Sequence, residues 1–174
     1  MNTRIALAAG LSLVLFACND ERAGKNEANA SATANQGQTK EMAVADTYTW
    51  GPAPPVFPAG AQMAVLHGDP SKSGTFVVRL RFPANYAVAA HNHPTDEYVT
   101  VVSGQLSLGM GDKLDRAQGN SLHQGGFAVA PAKMNHYAWT DTGATIQIQA
   151  EGPFALTYVN PADDPTRQTQ KTPN

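Results

Sequence analysis

The 174-residue chain has no second cysteine. With Cys18 alone no internal disulfide can staple the fold, so stability has to come from a buried core. Charge is scarce as well: 15% of residues are Asp, Glu, Lys or Arg, and the net charge is −2 with both signs scattered. That leaves no basic surface to hold a phosphate backbone, which argues against nucleic acid as a partner. No apolar run reaches the ~20 residues that a membrane-spanning helix needs. An apolar stripe at helical spacing is also missing, and so is any internal repeat. What remains is one domain with a proper core and little more.

The N-terminus carries a pattern of its own. MNTRIALAAGLSLVLFAC opens with a single positive charge, Arg4, runs apolar from Ile5 to Phe16, and closes on Ala17 and Cys18. This is the layout of a secretory signal. Leu15-Phe16-Ala17-Cys18 resembles the bacterial lipobox, which implies lipidation at Cys18 as the mature N-terminus. The expectation is an exported lipoprotein, anchored to a membrane and facing the periplasm; a soluble periplasmic protein is the alternative. Residues 19–46 follow, with no aromatic residue and only Met42 and Val44 as large apolar side chains. Such a segment cannot bury enough surface to offset its ordering entropy, so it is expected to be a disordered tether. As a coil it would span on the order of 30 Å.

Order is expected over 47–162, with a polar, frayed tail at 163–174. The stretch from Trp50 to Gln62 holds four prolines and reads as extended chain on the domain surface. Short strand candidates follow at Met63–Leu66, Thr75–Phe82, Glu97–Val102, Gln105–Met110, Gly126–Ala130, His136–Trp139, Thr145–Gln149 and Leu156–Val159. In Thr75–Phe82, Phe76, Val78, Leu80 and Phe82 alternate with Arg79 and Arg81, the period of a half-buried strand. Turn residues separate the candidates, among them Ser103-Gly104, Gly125-Gly126 and Asp141 to Gly143. Regular short strands with turns between them predict an all-β sandwich or small barrel.

The chemistry concentrates in HNHPTDE. His91 and His93 are two apart and share one side of an extended strand. Pro94 ends that strand, Thr95 and Asp96 make a turn, and Glu97 opens the next. Glu97, Val99 and Val101 share one face, so the carboxylate points into an apolar interior, where it would be costly unpaired. Two imidazoles and a carboxylate are what a divalent transition metal takes from a facial site, and a bound cation removes the cost. For a fourth ligand there are three candidates. His136 lies inside a strand and is the best placed; His67 and His123 are expected to face solvent.

His91-x-His93, three residues, Glu97, six residues and Gly104 match the first motif of the cupin superfamily. Gly125, Pro131 and His136 match the second motif, with Lys133 and Thr140 in place of its later glycine and its asparagine. Asn85 stands where a glycine usually precedes the first histidine. The chain therefore resembles the small single-domain bacterial cupins. The resemblance implies a jelly-roll barrel (a double-stranded β-helix) holding one divalent transition metal ion, Fe, Mn, Zn or Ni, on His91, His93, Glu97 and His136. Lys133 puts the shape of its turn in question, because that glycine serves a conformation unfriendly to side chains.

Other residues take plainer roles. Tyr137 and Trp139 alternate with His136 and should pack against a second sheet or another subunit; an outward Trp139 would suit a homodimer. Tyr98 is expected to pack, and Phe127, Val99 and Met110 to fill core. Asp96 is a turn residue that can also orient a ligand histidine. By resemblance the function is a metal-dependent, dioxygenase-like oxidoreductase acting on a small chelating substrate. The alternative is a non-catalytic binder of a small molecule or metal.

Overall fold

The computed structural model describes residues 47–168; the signal segment, Cys18, the tether and the end of the tail lie outside them. Among the described residues the chain forms strands β1 (Gly51–Pro52), β2 (Gln62–His67), β3 (Gly74–Phe82), β4 (Tyr86–Asn92) and β5 (Glu97–Met110). Then come β6 (Gly119–His123), β7 (Phe127–Ala130), β8 (His136–Thr140), β9 (Ala144–Gly152) and β10 (Thr157–Tyr158), followed by a 3-10 turn at Pro161–Asp163 and a one-turn helix at Pro165–Gln168. Every strand pairing is antiparallel. The order is β1-β2-β3-β9-β5-β8-β4-β10, with β6 and β7 along the far side of β5.

Strand β5 makes this one ladder into a curled, half-closed barrel. Its first half pairs with β9 and its second half with β8, so one strand belongs to both facing sheets. The bend between the halves sits at Val101–Ser103, where the register shifts, and Gly104 follows with φ 78°. Ser103-Gly104 is thus a kink inside one fourteen-residue strand and not the turn that its composition suggests. A Cβ on Gly104 would stand 2.3 Å from the carbonyl oxygen of Gly143. Gly104→Ala is therefore expected to lower stability by about 2–4 kcal/mol, from left-handed strain plus a backbone clash. The measurement is the urea midpoint, which should fall at unchanged slope.

Three strands go beyond the strand candidates: β1 falls in the proline-rich extended stretch, β4 is expected only at its His91 end, and β6 is not expected at all. β4 reads YAVAAHN, with one β-branched residue and no clear alternation, yet pairing with β8 and β10 makes it a strand. β6 lies in the polar stretch AQGNSLHQGG and forms only as the return arm beside β5. The β3 alternation is as expected: Phe76, Val78, Leu80 and Phe82 are buried and meet Val99, Val101, Ile146 and Ile148 in the main core.

Both departures at turn positions keep the turn. Asn85 and Lys133 adopt φ 59° and 62°, the left-handed conformation that glycine serves, and Lys133 does so against a steric cost of roughly 1–2 kcal/mol. Thr140 is buried away from the interior cavity, and its Oγ1 accepts from Gly143 N at 3.0 Å. Trp139 is not outward: only 6% exposed, it packs with Ala90 and Tyr137 in a second cluster that Leu114 covers. Its burial removes it as a subunit contact. Phe127 and Met110 also depart from expectation, at 57% and 48% exposed, whereas Val99 is core.

Candidate metal centre

The site lies at one end of the barrel interior. β4 delivers His91, which stands opposite His136 of β8 in the ladder. Pro94–Asp96 does not fold a hairpin back, because β8 lies between β4 and β5. It carries the chain across to the facing sheet, so that Glu97 meets the histidines from the other side. Three bonds hold that crossing. Ala132 N donates to Asp96 Oδ1 at 2.7 Å, Lys133 N to the His93 carbonyl at 2.8 Å, and Thr95 Oγ1 to the Glu151 carbonyl at 2.8 Å. Asp96 thus ties the turn of one motif to the turn of the other and orients no histidine.

The four residues are 2–7% exposed. The ring nitrogens that His91, His93 and His136 can offer lie within 4.8 Å of one another. Glu97 Oε2 is 3.5 Å from His136 Nε2 and 3.7 Å from His93 Nε2, too far for good hydrogen bonds. Each Nδ1 contacts a backbone carbonyl: His91 on Ala89 at 2.6 Å, His93 on Ala155 at 2.8 Å, His136 on Met134 at 3.0 Å. With Nδ1 as the donor, Nε2 is left as a free lone pair in all three rings. Nε2 of His93 and of His136 is buried without a hydrogen-bond partner. Orphaned buried nitrogens are costly unless something else binds them, and three imidazole lone pairs beside a carboxylate suit a divalent transition metal. The residues fit the ion. His67 and His123 are exposed and far from this arrangement in the fold, on β2 and β6.

The electrostatics divide the histidines. Burial, aided by the neighbouring His136 and His93, holds His91 down at about 3, well below the value of about 6.5 for a free imidazole. Burial lowers His93 as well. Burial also opposes charge on Glu97 and His136, but each offsets it for the other, so Glu97 is lowered and His136 raised. The signs for the metal-free fold follow. The pair stabilises it fully between the unfolded carboxylate value of about 4.5 and the unfolded imidazole value of about 6.5; that gain fades as pH rises through the raised folded value of His136 and as it falls through the lowered one of Glu97. His91 and His93 act the other way, their penalty growing as pH falls below about 6.5. To the extent that Glu97 keeps His136 protonated, an ion must displace that proton from Nε2. Titration calorimetry in buffers of different ionisation enthalpy should show proton release on ion binding that grows as pH falls. A heat independent of buffer would mean that His136 is already neutral.

Two neighbours of His93 carry no motif signal. Phe154 stacks on the His93 ring, with centroids 4.3 Å apart and planes 20° apart, and Ala155 supplies the carbonyl that Nδ1 of the same ring contacts. Both lie about sixty residues downstream of His93, and no spacing in the sequence links them. The cavity over the four residues is otherwise lined by apolar side chains, among them Phe57, Leu80, Leu106 and Leu156. At about 30 Å³ it has room for an ion and one or two waters.

A family described as a domain of unknown function, DUF4437, matches residues 22–157. The chain belongs to the DUF4437 family. Its members' domain is of the cupin type, and the DUF4437 match also takes in much of the segment read as a tether. Solved structures agree on the fold. A candidate acetylacetone dioxygenase from Methylibium petroleiphilum PM1 is 25% identical at TM-score 0.56, covering 72% of this chain and 85% of its own. The polyketide cyclase RemF from Streptomyces resistomycificus is 16% identical at TM-score 0.53, covering 64% and 80%. An RmlC-like cupin from Ralstonia eutropha JMP134 is 15% identical at TM-score 0.53, covering 67% and 71%. No functionally curated protein matches this DUF4437 chain.

Proposed function

We propose that this protein is an exported, lipid-tethered cupin whose His91, His93, Glu97 and His136 hold one divalent transition metal, and that it oxidises a small chelating substrate in dioxygenase fashion. The observation that carries the metal is the pair of buried, partnerless Nε2 atoms on His93 and His136. The likeness to the candidate acetylacetone dioxygenase supports the reaction class. So does the cavity lining, which offers no polar side chain beyond the four. A hydrolase or isomerase needs a general acid or base beside its ligands, whereas oxidation at a redox metal does not.

A bound redox-active ion would supply dioxygen activation and substrate coordination. The protein's own residues do the rest. The Nδ1 contacts fix ring orientation, Glu97 contributes the one negative charge, and Phe154 with the leucines keeps bulk water out. The test begins with metal analysis of purified residues 19–174, where substoichiometric content after reconstitution would overturn the ligand set. Oxygen uptake by the Fe(II)-loaded protein over enol, diketone and phenolic compounds comes next. Turnover supports the oxidoreductase; tight binding without turnover makes the protein a non-catalytic binder.

A further inference from the structure

Beside the metal chamber lies a second cavity of about 350 Å³, and none of the twelve residues lining it has a polar side chain. Phe57, Leu80, Ile148 and Leu156 line both cavities. Its inner wall is the β3 face at Phe76 and Val78, and its outer wall is the strap running from Pro54 to Pro58. The strap is fastened: Tyr158 Oη donates to the Val56 carbonyl at 2.8 Å and Tyr86 Oη to the Pro58 carbonyl at 2.7 Å. Phe154 closes the far end, with one face on His93 and its ring edge-to-face with Phe76 at 5.2 Å. Its own N–H donates to the Pro70 carbonyl at 2.8 Å. The cavity is therefore built by long-range bonds and is not a gap at a frayed edge.

The two volumes together bound the substrate. The metal chamber admits donor atoms and a water or two, so the rest of a substrate has to lie elsewhere. The adjoining cavity has the size of a small-molecule pocket and offers only apolar contact. We propose that it takes the apolar tail of a substrate whose chelating head reaches His91, His93, Glu97 and His136. This inference rests on the metal reading above. Phe57 and Leu156 are only half-buried and lie outside the sheets, so side-chain rotation at these two joins the chambers. The substrate class is then an amphiphile: a bidentate oxygen chelator on an alkyl or aryl chain, not a small polar metabolite such as a sugar acid.

The test uses the Zn(II)-loaded protein and n-alkyl hydroxamates, from acetohydroxamate to octanohydroxamate, by titration calorimetry. Affinity should climb about four-fold per added methylene until the cavity is full. One Kd across the series would overturn the proposal. Met63→Trp, which fills the cavity from β2, should flatten that climb and leave zinc content and acetohydroxamate affinity unchanged; a climb that survives places the tail elsewhere and also overturns it. If the variant does not fold, the wild-type series decides alone. A protein that takes up no zinc sinks the metal reading by itself. The metal-free protein is then titrated with n-octanol while the Met63 methyl resonance is followed: a saturable shift keeps the apolar pocket, and no shift removes it.

Discussion

His91→Ala is expected to leave the purified protein without metal, with a Kd weaker than wild type by about 100-fold or more, whereas His123→Ala keeps full occupancy. Losing a residue that merely orients a ligand costs 10–100-fold, and losing a ligand costs at least as much. The contrast follows from placement. His91 faces His136 across the β4–β8 ladder with ring centroids 4.3 Å apart, while His123 sits exposed on the edge strand β6. Metal content by elemental analysis checks it, and equal losses in the two variants would mean the wrong histidines. A stability readout accompanies it. An ion present at about 1,000 times its Kd stabilises the fold by about 4 kcal/mol. Chelation of wild type should thus lower Tm by roughly 10–20 °C, while chelation of His91→Ala should leave it unmoved.

Glu97→Leu should reverse sign between the two forms of the protein. Without metal, wild type buries a carboxylate whose nearest cationic partner is an imidazole 3.5 Å away; removing one partner of a buried pair is costly where the other stays charged, but at alkaline pH His136 can give up its proton and stay as a neutral ring, so leucine removes only the cost of burying the carboxylate. Val99, Leu106 and Ile148 line the same cavity, so leucine has matching neighbours. At that pH the metal-free variant should therefore melt at or above metal-free wild type. With metal the order inverts, because the variant lacks the one carboxylate and its three remaining imidazoles gain less from added ion. Paired melts with and without Zn(II) measure both. A Glu97→Leu protein that is strongly destabilised at alkaline pH even without metal would show that Glu97 holds the fold by some contact other than the one to a cation.

Part of this site was legible from spacing. Two histidines with one residue between them share a side of an extended chain whatever the rest of the protein does, and a proline after them ends the strand. The alternation from Phe76 to Phe82 is likewise a property of the backbone period. Ser103-Gly104 shows where such reasoning stops. The same dipeptide serves a turn or a kink, and only the ladder partners on either side, β9 and then β8, make it a kink. β4 is similar: its alanine-rich sequence has weak strand preference, and its neighbours in the sheet override that.

Spacing and composition were enough for the make-up of the candidate site, a cupin motif pair with His91, His93, Glu97 and His136, and for an all-β chain with neither an internal disulfide nor a basic surface. That Glu97 approaches from the facing sheet, that Trp139 is covered, that Phe154 and Ala155 hold His93, and that an apolar cavity shares walls with the chamber over the histidines all follow from how the strands assemble. The reason is range. A side chain's direction along a strand is set by the residues beside it, whereas register across sheets, burial and cavity volume are set when the whole barrel closes.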